Sequence, residues 1–333
     1  MPLPTQFQNP VYPRYLADPF CWRHNGVYYA VGTGPVVRGA SGKPDGAFPL
    51  VKSVDLQHWE PVGQALIAPL EESGGEFWAP EVAYHEGVFT LYYHPNGTGQ
   101  GFHIRAATSS TPEGPYLDTG TPLTDLATNN FAIDSHPFLD DDGSWYLFYA
   151  TDFLDFDDRT FRGTALVVDR LLSMTKLEGQ PQVVMRAHWP WQCYERSRDL
   201  GGVVADWYTL EGPTVCKRGG KYYCFYSGGC YQNDTYGVDY LVADHIFGPW
   251  QEIGKARGPQ VMRSVPGKVI GPGHHSMVSS PDGKQDYAVY HAWNEAMTAR
   301  LMCVDPLLWT PDGPVIERFR DTIQSQNEIQ TDI

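Results

Sequence analysis

The sequence predicts an all-β chain folded as a five-bladed β-propeller, and three observations carry that expectation. First, an acid or a histidine is followed five times, six to nine residues later, by a glycine opening an aromatic-rich run. The five are Asp18 before Gly26-Val27-Tyr28-Tyr29, Glu81 before Gly87-Val88-Phe89, Asp134 before Gly143-Ser144-Trp145-Tyr146, Glu211 before Gly220-Lys221-Tyr222-Tyr223, and His274 before Gly283 and Tyr287. Second, these glycines lie 61, 56, 77 and 63 residues apart, a period that marks a repeated structural unit. Third, helical periodicity is scarce, and short apolar runs bounded by turn residues recur along the chain.

Each unit can be followed strand by strand. Val27–Val31, Val88–Tyr93, Trp145–Tyr149, Ala165–Val168, Tyr222–Tyr226, Tyr240–Ala243, Tyr287–His291 and Arg300–Val304 read as strands. A second repeat follows later in the unit. Ser53-Val54-Asp55-Leu56 leads to Trp59, Ser109 to Pro115 leads to Tyr116, and Ala243 to Pro249 leads to Trp250. About four strands in each of five units describe a propeller; a sandwich would show no such period. Residues 1–333 read as a single domain, with a core over about 9–315 and a polar tail over 317–333.

Composition bounds the function. The chain has 333 residues, 42% of them hydrophobic and 14% aromatic, with 34 glycines and 27 prolines, which suits many short strands joined by tight turns. The net charge of -15 argues against nucleic acid and anionic membranes, which bind basic surfaces. No apolar run approaches the length of a membrane-spanning helix. The N-terminus, Met1-Pro2-Leu3-Pro4-Thr5, has neither a charged region nor an apolar core of a leader, so a cytoplasmic location is expected. Cys21, Cys193, Cys216, Cys224, Cys230 and Cys303 show no metal-ligand spacing and are expected as free thiols, ahead of a Cys224–Cys230 disulfide. The glycosylation-like triplets Asn96-Gly97-Thr98 and Asn233-Asp234-Thr235 carry no meaning in that location. The acidic runs Asp140-Asp141-Asp142 and Asp155 to Asp158 lack calcium-loop spacing and read as solvated turns.

The innermost strand of a propeller blade lines the central channel, so Asp18, Glu81, Asp134, Glu211 and His274 are expected to converge at one end of the axis. Asp18, Asp134 and Glu211 each follow an apolar residue and precede a proline within three positions, a dry setting that raises a carboxyl's pKa. Alone, each Asp or Glu here reads as a turn or a cap; the recurrence is what raises catalysis. Carboxyl groups opposed across a pocket are what glycoside hydrolysis needs, one to protonate the leaving oxygen and one to activate water. Trp78 is read as a wall for a sugar ring or, nearly equally, as a core residue between blades. The long third-to-fourth connection, Met185 to Tyr208, carries Trp189-Pro190-Trp191 and Tyr194 and is expected to rim the pocket.

Several segments carry a family resemblance. Asn9-Pro10 with Ala17-Asp18-Pro19, Trp78-Ala79-Pro80-Glu81-Val82, Ile133-Asp134, Glu211-Gly212-Pro213, Gly271-Pro272-Gly273-His274 and Arg300 to Leu307 resemble, in order, the signature segments of glycoside hydrolase family 43. The resemblance implies a five-bladed propeller and inversion at the anomeric carbon. It makes Asp18 the general base, Glu211 the general acid and Asp134 the residue that tunes and orients the acid. An inverting pair stands about 6.5–9.5 Å apart to admit water. Trp78, Arg300, Phe20 and His275 are counted as substrate-binding, with Arg300 donating to sugar hydroxyls. The resemblance implies no cofactor for the chemistry, and a calcium or sodium ion held through water at His274. His275 stands where a small or amide residue is expected beside such an ion. The implied substrate is an oligosaccharide, cut exo-fashion to release a terminal α-L-arabinofuranosyl or β-D-xylosyl unit. The lack of a C-terminal sandwich leans towards arabinofuranosidase. An endo-α-1,5-L-arabinanase and a non-catalytic sugar-binding propeller are the alternatives.

Overall fold

A computed structural model describes residues 3–40, 42, 44–67, 76–96, 101–125, 131–155, 159–253, 258–320 and 323. Residues 97–98 of the first glycosylation-like triplet, residues 156–158 of the second acidic run and most of the polar tail lie outside the described residues.

The strands group into five blades. The first is Ala17–His24, Val27–Thr33, Pro44–Ser53 and Glu60–Ile67. The second is Glu76–His85, Val88–Asn96, Arg105–Ser109 and Tyr116–Pro122, joined to the first by parallel pairing of Leu66 with Tyr116. The third is Ala132–Leu139, Trp145–Phe153 and Gly163–Ser173, edged by Lys176–Leu177 and Gln182–Met185. The fourth is Leu210–Arg218, Lys221–Gly228, Gly237–Ala243 and Gln251–Glu252. The fifth is Ile270–Ser279, Asp286–Trp293, Arg300–Thr310 and Gly313–Val315. The long spacing before the fourth blade is taken up by a hairpin, Cys193–Asp199 with Val204–Tyr208.

The recurrent glycines open the second strand of every blade, and all five are left-handed. At Asn25-Gly26, Glu86-Gly87 and Gly219-Gly220 both turn residues have positive φ, the two-residue turn whose twist matches the strands it joins. Each second strand is buried on both faces, as in Tyr28–Val31 and Tyr146–Ala150, which is why these aromatic runs stand out in the sequence.

Five apolar clusters fill the five interfaces between neighbouring blades. Tyr29, Val31 and Leu50 meet Phe77, Phe89 and Leu91; Tyr92 and Ile104 meet Leu147 and Val167; Phe148 and Val168 meet Tyr222 and Leu241. Phe225 and Tyr240 meet Ala288 and Tyr290, and Val278 and Val289 meet Cys21 and Tyr28. Each large side chain so buried contributes roughly 1.5–3 kcal/mol. The last cluster joins the fifth blade to the first. The N-terminal segment completes that closure: Val11 N–H donates to Met302 O at 3.0 Å and Leu16 N–H to Arg300 O at 3.2 Å. The six cysteines are free thiols. No helix among the described residues is long and apolar enough to cross a membrane.

Candidate active site

The first strand of every blade carries a β-bulge near its start, the fifth with a second irregularity just before it, and the residue after the last pair ahead of the bulge is left-handed. These residues are Asp18 (φ 50°), Ala79 (45°), Asp134 (55°), Gly212 (54°) and His274 (46°). The bulge turns the strand towards the channel mouth and stops regular pairing there. The structural equivalents are therefore not quite those expected from sequence. Glu211 stands one residue before its bulge, and Glu81 two residues after Ala79. Glu81 consequently points away from the pocket and pairs with His136 Nδ1 at 2.7 Å, whose Nε2 lies 3.4 Å from Val215 O.

A repeated hydrogen bond fixes each bulge to the preceding blade. The second-strand residue opposite the position before the bulge accepts the bulge N–H of the next blade. Thr33 Oγ1 takes Ala79 N–H at 2.8 Å, His94 Nδ1 takes Asp134 N–H at 3.4 Å, Ser227 Oγ takes His274 N–H at 2.8 Å, and His291 Nδ1 takes Asp18 N–H at 3.1 Å. In the third blade that position is Ala150, which has no acceptor, and Gly212 N–H goes to Asp134 Oδ2 instead, at 3.1 Å. Asp134 is thereby tied to the backbone beside Glu211.

The bulges open onto a cavity of about 890 Å³ lined by Asp18, Trp78, His94, Asp134, Glu211, His274 and Arg300. Asp18 sits in a cationic corner. Arg300 donates to its Oδ1 at 2.9 Å, His291 Nδ1 lies 3.2 Å and His274 Nδ1 3.4 Å from the same oxygen. Burial pushes this carboxyl up, but the Arg300 guanidinium outweighs it and holds Asp18 well below the usual range. The Arg300 guanidinium lies 4.7 Å from the Tyr231 ring and within 6.0 Å of Tyr15 and Trp293, three aromatic faces that keep it in place.

The opposite corner is acidic. Burial, then the charges of Glu211 and Asp18, push Asp134 well above the usual range. Burial also pushes Glu211 up, to about 7, against a hydrogen bond donated by Tyr236 O–H to Oε1 at 2.6 Å. Three acids in one water-poor site do not all ionise, and the Arg300 cation stands beside Asp18. His94 and His291, which accept amide protons at Nδ1, are neutral with the proton on Nε2; burial pushes them down to about 3 and about 4. An ionised carboxylate and a protonated carboxyl facing one hollow are the two groups an acid–base hydrolysis uses.

The substrate-binding expectations divide. Trp78 lines the cavity, stacked on Phe102 at 5.6 Å, and Arg300 lines it while held on Asp18. Phe20 does not belong there. It stacks on Trp22 at 6.1 Å in the core between the first two blades, because the bulge at Asp18 turns the next residues away from the mouth. His275 is a correction of the same kind: it is buried against the edge of Phe225 at 5.1 Å, away from the cavity wall. The ion expected at His274 meets a poor donor set. His274, Asp134 and Glu211 offer ligand atoms within 4.8 Å of one another, but Gly212 N–H and Tyr236 O–H already occupy two of the carboxyl oxygens. Calcium takes six to eight oxygen ligands, and these residues do not supply that cage.

The hairpin does reach the pocket, through Tyr194, Arg198 and Trp207. Its Trp189 and Trp191 act as anchors instead: Trp189 Nε1 donates to Glu252 at 2.8 Å and Trp191 stacks on Tyr226. Sequence reading missed Tyr15, Tyr231, Trp207, Trp293, His291 and Tyr236. Of these, His291 could have been found, since Thr33, His94, Ser227 and His291 close the second strands at one register.

The family model described as glycosyl hydrolases family 43 matches residues 7–315. The chain is 28% identical to the β-D-galactofuranosidase xynD of Aspergillus niger, over 94% of this chain and 85% of that one. It is 24% identical to an extracellular endo-α-(1→5)-L-arabinanase of Bacillus subtilis, over 90% and 87%. Among solved structures, a thermostable family-43 glycoside hydrolase superposes with TM-score 0.78 at 28% identity, covering 94% and 96% of the two chains. A Bacteroides thetaiotaomicron endo-1,4-β-xylanase gives TM-score 0.72 at 29% identity, covering 92% and 95%.

Proposed function

The chain belongs to glycosyl hydrolase family 43, and on that footing we propose that it is an inverting, exo-acting glycosidase that releases a terminal furanosyl or xylosyl unit from oligosaccharides. Asp18 is the general base, Glu211 the general acid, and Asp134 holds the acid's surroundings. The observation that carries the reading is the contrast within one cavity: Arg300 stands 2.9 Å from Asp18 and keeps it ionised, whereas Glu211 has no cation bonded to it among the described residues and burial pushes it up to about 7.

In this reading a water between Asp18 and the anomeric carbon gives its proton to Asp18 as its oxygen attacks. Glu211 passes its proton to the glycosidic oxygen as the carbon–oxygen bond breaks. The anomeric carbon inverts because attack and departure occur on opposite faces. No step of this scheme is routed through a metal ion.

The sugar is the open part. An α-L-arabinofuranosyl unit remains the first candidate and β-D-xylosyl the second. The likeness to xynD adds a β-D-galactofuranosyl unit, whose ring has the same shape as α-L-arabinofuranose with a longer exocyclic arm. Exo action is supported by the hairpin, whose Tyr194 ring lies 6.2 Å from Tyr231 at the cavity wall. An open groove, which an endo-arabinanase needs, would require that side to be clear. A panel of aryl arabinofuranosides, xylosides and galactofuranosides, alongside linear arabinan, tests the sugar and the mode. Proton NMR of the first-formed anomer tests the course. Release of long oligomers contradicts exo action, and retention contradicts the assigned roles.

A further inference from the structure

Tyr236 is the side-chain hydrogen-bond partner of Glu211. Resting on the reading of Glu211 as the acid, we propose that Tyr236 is its positioning residue: it occupies Oε1 as donor, so the proton to be transferred is held on Oε2.

The hydrogen bonds set this polarity. His274 N–H, a group that can only donate, goes to Ser227 Oγ at 2.8 Å. Ser227 Oγ is thereby engaged as an acceptor beside Gly273, the residue on which the Tyr236 ring packs. Tyr236 then directs its proton to Glu211 Oε1 at 2.6 Å. Tyr236 is the donor of this pair, so Oε1 accepts and Oε2 carries the acidic hydrogen.

Packing fixes the phenol. Tyr236 is 1% exposed. Its ring lies flat on His291, with centroids 5.8 Å apart and planes 5° apart. His291 is the same ring that accepts Asp18 N–H and faces the Asp18 carboxylate, so one stacked pair braces acid and base together. On another side the ring lies against Gly273, where a Cβ would overlap it. The second glycine of Gly271-Pro272-Gly273-His274 is thus a slot for Tyr236.

The consequence is specific to the transition state. As Glu211 passes its Oε2 proton to the leaving oxygen, the bond electrons move to that oxygen and Glu211 becomes a carboxylate. The Tyr236 bond to Oε1 then becomes charge-assisted and strengthens, whereas in the ground state it joins two neutral groups. Tyr236 should therefore act on kcat and little on KM.

The test compares Tyr236→Phe with the wild type on aryl glycosides of the sugar cleaved, over leaving groups from dinitrophenol to unsubstituted phenol and an alkyl alcohol. The proposal expects KM within about twofold, kcat lowered about 10–100-fold for poor leaving groups, and less than about threefold for dinitrophenol, which departs without a proton. Thermal unfolding reports whether the variant is folded. Equal losses for all leaving groups, a loss confined to KM, or no loss overturns the proposal. Glu211→Gln on the same series separates the two claims. A steep leaving-group dependence there with a flat one in Tyr236→Phe sinks Tyr236 alone; a flat one in Glu211→Gln sinks the acid assignment and Tyr236 with it.

Discussion

Asp18 and Asp134 occupy the same place in two blades. Both are left-handed bulge residues, both give their amide to a histidine of the preceding blade, and they are 8% and 7% exposed. Yet Asp18 is held far below the ordinary carboxylate range and Asp134 far above it. Burial is common to the two, so it does not decide between them. The difference lies in the neighbours. Histidines stand near both, but Arg300 pairs with Asp18 alone, whereas Asp134 lies beside the acid Glu211. Repetition supplies the geometry, and departures from repetition supply the chemistry.

The comparison can be broken most severely at its two ends. Glu211→Gln and Asp18→Asn should each lower kcat on unactivated substrates by roughly 10³–10⁴-fold, read by steady-state kinetics. Similar activity in either variant would make the corners equivalent after all. Arg300→Met should come next. It removes the main cation from Asp18, whose pKa then rises, so the acid limb of the pH–rate profile moves upward and kcat/KM at pH 6 falls by about 10²-fold. An unmoved acid limb would mean that Arg300 does not hold the base ionised.

Smaller effects sharpen the same contrast. Ala150→Ser places in the third blade the hydroxyl that Thr33 and Ser227 supply elsewhere. It should capture Gly212 N–H, release Asp134 Oδ2, raise the Asp134 pKa further and lower kcat about three- to fivefold, roughly the worth of one hydrogen bond. Trp207→Ala, on the hairpin side, should raise KM for oligosaccharides a few-fold and leave aryl glycosides unchanged.

Much of this was legible in the sequence, and the misreadings are instructive. The turn glycines Gly26, Gly87, Gly143, Gly220 and Gly283 gave the blades their period because each opens a strand buried on both faces. The channel positions were located only to within two residues. Counting back eight or nine from each glycine reaches Asp18, Ala79, Asp134, Gly212 and His274, the true bulge residues. A search for acids slid instead to Glu81, which is paired with His136 away from the cavity. Phe20 and His275 were misplaced because a bulge reverses which neighbours face the mouth. Tyr231, Tyr236 and Trp293 were not legible, since they reach the site from second strands and loops where ordinary core aromatics look the same.

The central claim is that one carboxyl is ionised while its counterpart is protonated at the working pH. It is tested most directly by the pH dependence of kcat for an unsubstituted phenyl glycoside, whose leaving group needs a proton, in the wild type and in Glu211→Gln. With Glu211 pushed up to about 7 and required in its protonated form, activity should fall as pH rises through about 7 in the wild type. The variant has no carboxyl to lose that proton, so its slower reaction should show no such fall. The same descending limb in both proteins would contradict the account.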